Sequence, residues 1–153
     1  MPFHKGHEYC LRTAAKECET VYVILFSGGS EEEKILKEKP YEWLSAKARL
    51  RQIEEVCRKY QGVARMIPAA IDVTELRKTL GDDTWEGEAP LVREIVGDRL
   101  DAVYGSEPSY SEYFRKAYPE ADIRIVDEKR VKYPISGTMI REMDEEEQRK
   151  WMV

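Results

Sequence analysis

With 153 residues the chain has the length of a single domain, 1–153, and its 25 Lys and Arg against 30 Asp and Glu leave a net charge of −5. That balance argues against a general nucleic-acid surface, so any phosphate site must be local. No apolar run approaches the roughly 18 to 20 residues of a membrane span, no signal-peptide pattern opens the chain, and Cys10, Cys18 and Cys57 lack a Cys-x-x-Cys spacing, which together predict a cytoplasmic protein of a reducing compartment.

The chain opens with Met1-Pro2-Phe3-His4-Lys5-Gly6-His7, two histidines spaced by a glycine and running into a helical pattern. If Gly6 releases the chain into a helix, both imidazoles lean toward one side of the helix start, where unpaired N–H groups and the helix dipole favour an anion. Gly6 would let a phosphate approach the backbone, and Lys5 adds a positive charge. A chance His-x-x-His pair is the plain alternative. A zinc pair is the other, but it wants three or four ligands, and the chain has only two histidines.

Residues His7 to Glu19 read as a helix with Leu11, Ala14, Ala15 and Cys18 on one face. Cys10 and Cys18 fall about 12 Å apart on it, too far for a disulfide. Val21 to Phe26 is a near-continuous apolar run that suits a buried parallel strand, ended by Ser27-Gly28-Gly29-Ser30. Glu31 to Lys39, closed by Pro40, is a solvated loop or short helix. Tyr41 to Tyr60 reads as one long helix, with Trp43, Leu50, Ile53, Cys57 and Tyr60 at helical spacing, and a strand follows near Val63 to Ile67.

Beyond it the alternation continues with a helix over Leu91 to Leu100, a strand over Asp101 to Gly105, a helix over Ser109 to Tyr118 and a strand over Ile123 to Val126. Strands alternating with helices predict an α/β fold, a parallel sheet with helices on both faces. Ligands of such sheets gather at the carboxyl ends of the strands.

Ile135-Ser136-Gly137-Thr138-Met139-Ile140-Arg141 is the second informative stretch. Ser136 and Thr138 are good helix-start residues, Gly137 allows a close backbone approach, and Arg141 falls one turn into the helix. This is either a second anion cradle or an ordinary helix cap with a surface arginine. Pro134 before it suits both.

Taken together, Pro2-x-His4-x-Gly6-His7 and Ile135-Ser136-Gly137-Thr138-x-x-Arg141 resemble the paired motifs of the nucleotidyltransferase superfamily. With Tyr104-Gly105-Ser106-Glu107 and Val126-Asp127-x-x-Arg130, the chain is most similar to the nicotinamide mononucleotide adenylyltransferase domain of bacterial trifunctional NAD-biosynthesis regulators. The resemblance spans nearly the whole chain and implies a Rossmann-like fold and transfer of AMP from ATP to nicotinamide mononucleotide, with magnesium bridging phosphate oxygens. It implies that His4 and His7 contact the ATP phosphates, with Lys5 and Gly6 beside them, and that Ser136, Gly137, Thr138 and Arg141 bind the β and γ phosphates.

The same resemblance puts Tyr104, Gly105 and Ser106 along the adenine pocket, largely through backbone groups. It makes Trp85 a candidate for stacking on the nicotinamide ring, a core tryptophan being the alternative. Arg49 and Arg130 either contact nucleotide or make surface pairs. The partners implied are ATP and a phosphorylated acceptor, with no nucleic acid and no membrane, and a homo-oligomer is left open. Other acceptors, such as phosphopantetheine, and nucleotide binding without catalysis stay open as well.

The ends depart from the family. There a first strand and a Gly-x-Phe turn precede the proline of the histidine motif, and here that strand is missing. Its neighbours are then expected to lack hydrogen-bond partners on one side, so either Met1 is an internal start or another segment or a partner chain supplies the strand. The acidic run Asp144 to Glu147 reads as the exposed first turn of a last helix. The regulator's DNA-binding and kinase parts have no counterpart, and neither activity carries over.

Overall fold

The computed structural model describes residues 2–81 and 87–153. Helix α1 (Lys5–Glu17) leads into strand β1 (Thr20–Ser27), then come α2 (Ser30–Glu38) and α3 (Ala46–Tyr60), strand β2 (Arg65–Asp72), α4 (Thr74–Leu80) and α5 (Glu88–Val96). Strand β3 (Ala102–Gly105), α6 (Ser111–Ala117), strand β4 (Asp122–Ile125), α7 (Gly137–Glu142) and α8 (Glu145–Trp151) complete the order. This is the α/β alternation expected, with every strand pairing parallel.

The strands come as two pairs, β1 with β2 and β3 with β4, rather than as one continuous sheet. Thr20 is in register with Arg65 and Ser27 with Asp72, and Ala102 with Asp122. β1 and β3 each have a strand neighbour on one side among the described residues, and a cleft of about 1330 Å³ is lined by the length of both. The expected fully buried β1 is therefore half-buried from Val21 to Ser27. Its apolar composition answers to both faces and its exposure to one edge.

Helices cover both faces of β1, because a strand alternates its side chains. Val21, Val23 and Leu25 pack on a core built from Phe3, Leu11, Ile53, Val56 and Met66. Ile24 and Phe26 pack the other way, on Ile71, Val73, Val92, Leu100 and Tyr118. The first core is supplied by α1 and α3, and the second by the α5 and α6 region.

Several boundaries differ from the sequence reading. The long helix from Tyr41 is a 3-10 turn, Glu42–Leu44, followed by α3, and Ser45 separates them by capping α3 through Ala48 N–H at 3.2 Å. β2 runs to Asp72 through Pro68, which a strand edge tolerates because only one side of it is paired. The charged Glu31 to Lys39 stretch is a helix, and α4 is a further helix that the sequence reading did not include. α5 begins at Glu88, upstream of the expected start, and ends at Val96, with Gly97 as its cap. No helix among the described residues is long and apolar enough to cross a membrane.

α8 fulfils the reading of the acidic run, with Asp144 accepting from Glu147 N–H at 2.9 Å. It also joins the two ends of the chain. Gln148 donates to the Ile140 and Met143 carbonyls at the end of α7, and Met152 makes an antiparallel bridge to His4.

Candidate active site

His4 is the N-cap of α1, so the helix starts one residue after it and not at His7. Its Nδ1 accepts from Gly6 N–H at 3.1 Å, and His7 Nδ1 reaches back to accept from His4 N–H at 3.3 Å. The pair is a capping box built from imidazoles. The rings lie 3.9 Å apart with a 31° tilt, and Phe3 stacks behind His7 at 5.6 Å.

This geometry fixes the tautomer. A ring nitrogen that accepts from a backbone N–H carries no proton, so both neutral imidazoles hold theirs on Nε2. Burial pulls His4 down to about 4, helped by positive charge that includes Arg130. His7 is lowered further by burial, then by His4 and Arg130. At neutral pH the site therefore presents two uncharged N–H donors.

Gly6 also has a packing role. A Cβ at position 6 would meet the His4 ring at 3.0 Å and 3.1 Å, so the glycine makes room for the capping imidazole. Lys5 beside it is exposed.

The second motif comes to the same cleft. Ser136 caps α7 by accepting from Met139 N–H at 3.2 Å, and Arg141 Nη2 donates to Thr138 Oγ1 at 3.2 Å. Ile135 and Ile140 are buried beneath them and anchor the turn. Arg130 bridges the two motifs, since Nη1 reaches the Ile135 carbonyl at 3.3 Å while its charge acts on both histidines. Its Nη2 pairs with Glu107 at 2.8 Å.

Arg130 and Asp127 both take left-handed backbone angles, φ +49° and +54°. Asp127 steadies that turn by accepting from the Val131, Lys132 and Tyr133 N–H groups.

The other expected residues divide. Tyr104, Gly105 and Ser106 line the cleft, while the Tyr104 hydroxyl is turned to Glu17 at 2.6 Å and to Cys18. Arg49 also lines it but forms no surface pair, because it is 4% exposed and its guanidinium is held by the Leu44 carbonyl and Glu32. Trp85 lies outside the described residues. Among the described residues no group of three or more His, Cys, Asp or Glu side chains is arranged to hold a metal ion.

Sequence reasoning passed over Arg77 and Glu88. Arg77 Nη1 donates to the Gly28 carbonyl at 2.7 Å, at the carboxyl end of β1, and Nη2 pairs with buried Glu88 at 3.4 Å. Both line the cleft. Neither fell within an element or motif that the sequence reading singled out.

A family model described as cytidylyltransferase-like matches residues 2–143. No curated protein matches the chain.

Proposed function

The chain belongs to the cytidylyltransferase-like family of nucleotidyltransferases, and from that premise we propose that it transfers AMP from ATP to nicotinamide mononucleotide, releasing pyrophosphate and forming NAD. The observation that carries this is the meeting of the His4–His7 pair with Ser136, Thr138 and Arg141 in one cleft. Two neutral Nε2–H donors, two hydroxyls and a guanidinium suit an extended polyphosphate.

In this reading the phosphate oxygen of the acceptor attacks the α-phosphorus of ATP in line. A new P–O bond forms as the bond to pyrophosphate breaks. The attacking phosphate is already an anion, so no side chain need remove a proton. His4 and His7, uncharged and fixed by their own capping box, donate to phosphate oxygens without changing protonation. Arg141 meets the charge gathering on the leaving pyrophosphate. Catalysis is then positioning and charge stabilisation by preorganised donors.

Magnesium would be held mainly by triphosphate oxygens, since the described residues offer no three-ligand group. When bound it supplies neutralisation of phosphate charge.

The test is a pyrophosphate-release assay that offers ATP or CTP with nicotinamide mononucleotide or phosphopantetheine. ATP with nicotinamide mononucleotide is expected to turn over fastest. Faster release with CTP would favour the cytidylyl reading, which the family description supports. ATP binding with no release under any pairing would make the chain a nucleotide-binding protein.

A further inference from the structure

The turn between β4 and α7 is held more tightly than a connector needs. Asp127 folds its carboxylate under it: Oδ1 accepts from Val131 N–H at 2.9 Å, Oδ2 from Tyr133 N–H at 2.8 Å, and Lys132 N–H lies 3.1 Å from both oxygens. Those N–H groups, Lys132 first, hold the carboxyl below its ordinary range. The later part of the turn is docked on α1, where the Tyr133 ring lies 5.3 Å from that of Tyr9 and the Lys132 ammonium sits over the Tyr9 ring at 4.5 Å. Tyr133 Cβ lies 3.8 Å from where a Cβ on Gly6 would stand, so the turn also abuts the histidine motif.

What this turn carries is Arg130. Asp127 and Arg130 both have left-handed φ, and Arg130 N–H closes the turn on the Asp127 carbonyl at 2.6 Å. Aspartate is at ease there and arginine is not, whereas a glycine at 130 would take the same backbone freely. A long side chain kept at such a position points to a use for it. Its guanidinium donates to the Ile135 carbonyl, one residue before the Ser136 cap, at 3.3 Å and to Glu107 at 2.8 Å. Those bonds engage two of the five N–H donors of a guanidinium. Arg130 lines the cleft, and its charge reaches both His4 and His7. A cation there, beside uncharged imidazoles and hydroxyls, suits a phosphate oxygen. Loss of the Asp127 carboxylate would free three N–H groups at once, and Arg130, next to the first of them, would move with the turn.

We propose that Asp127 is a positioning residue for nucleotide binding: its carboxylate fixes the turn that sets the Arg130 guanidinium in the cleft, where the guanidinium bonds a phosphate of the nucleotide. The phosphate contact rests on the transferase reading given above, and the placement of Arg130 by Asp127 does not. Asp127 touches no phosphate itself, since its oxygens are taken by N–H groups and its charge repels one.

The test is a double-mutant cycle of Asp127→Ala and Arg130→Ala, with ATP affinity read by calorimetry and the His4 ring pKa by NMR. Asp127→Ala alone is expected to weaken ATP binding about 10-fold and to raise the His4 midpoint nearly as far as Arg130→Ala does. The sign is informative, because loss of a carboxylate by itself lowers an imidazole pKa. In the Arg130→Ala background, Asp127→Ala is expected to change ATP affinity by less than about twofold and to leave the His4 midpoint unmoved. Asp127→Asn keeps an acceptor oxygen and tolerates a left-handed φ, so its ATP affinity should fall between those of wild type and Asp127→Ala. It carries the same cycle if Asp127→Ala does not fold.

Effects of Asp127→Ala that persist undiminished without Arg130 make Asp127 a residue of the fold alone and overturn the proposal, as does an unmoved His4 midpoint in the single variant. ATP affinity that ignores Asp127→Ala, or a wild-type chain that binds no ATP, overturns the phosphate contact. Pyrophosphate release, measured alongside, separates the two ideas. Coupled loss of ATP affinity in a chain that releases no pyrophosphate leaves Asp127 standing and removes the transferase reading, whereas release at an unchanged KM for ATP in Asp127→Ala does the reverse.

Discussion

The two phosphate cradles are built in opposite ways. At the histidine end the side chains are turned inward on their own backbone, with His4 5% exposed and each Nδ1 holding an N–H of the helix start. At the Arg141 end Thr138 and Met139 are exposed, and the bonds from Met139 N–H to Ser136 and from Arg141 to Thr138 are short-range ones within a single turn. The difference separates what a residue does for the fold from what it does for a ligand. Residues of the first cradle do both, so mutating them moves stability and activity together. In the second, Arg141 should move activity alone.

The largest expected effect tests that separation. His7→Ala and Arg141→Ala should each lower pyrophosphate release by about 100- to 1000-fold, the loss of one preorganised donor from a charge-stabilising site. They should differ in stability. His7→Ala takes away the acceptor for His4 N–H and should cost about 1 kcal/mol in urea unfolding, as the loss of a helix cap does. Arg141→Ala should stay within about 0.5 kcal/mol of wild type. Equal destabilisation would abolish the contrast, and near-wild-type turnover in both would remove the site.

Next in size is a pH effect confined to the buried cradle. His4 has its folded pKa lowered to about 4 from 6.5. The unfolded chain therefore binds a proton first, and the stability tied to neutral His4 is complete above pH 6.5 and lost as pH falls toward 4. At about 1.4 kcal/mol per pH unit this amounts to about 3 kcal/mol, with His7 acting in the same direction. Acidic groups elsewhere add their own slope, so the measurement is the difference between wild type and His4→Ala. That difference should narrow from pH 7 to pH 4, and a constant one would show that the ring is not held neutral by the fold.

These contrasts bear on what could be read from the residues alone. The His-x-Gly-His and Ser-Gly-Thr-x-x-Arg spacings were legible because both motifs are local: each cradle is assembled from residues within about one helical turn. The alternation of strands and helices was legible for the same reason. The gap between the two strand pairs was legible too, through the missing first strand whose neighbours were expected to lack partners on one side, whereas the half-burial of β1 was not, since a half-buried Val-Tyr-Val-Ile-Leu run has the same composition as a buried one. Arg77 and Glu88 were hidden because a charged residue in a helix ordinarily faces water, and only the approach of Gly28 and α5 buries this pair. Gly6 was legible as important, and its fit against the His4 ring adds a packing reason that the spacing did not show.

Ser136→Ala probes the second cradle at smaller scale. It removes the cap of α7, worth about 1 kcal/mol, from a helix whose other end is tied by Gln148. ATP affinity should weaken along with stability if Ser136 also meets phosphate. Wild-type affinity in a destabilised variant would leave Ser136 as a cap only.

The smallest effect lies on the residue that joins the cradles. Arg130 touches the Ile135 carbonyl at the second and bears electrostatically on the histidines at the first, while its bond to Glu107 is a partly exposed pair with 38% of each side chain open. Pairs of that kind contribute about 0 to 1 kcal/mol, so Arg130→Ala should cost less than about 1 kcal/mol even with its left-handed backbone relieved of nothing. Its signature is in the titration. Removing a positive charge favours the protonated imidazole, so the His4 pKa should rise from about 4, by less than burial lowers it, because burial is the larger cause. Following the His4 ring proton by NMR from pH 3 to 7 reads this directly. An unchanged midpoint would mean that the two cradles, although they share a cleft, are electrostatically independent, and the case for one continuous phosphate track through them would fail.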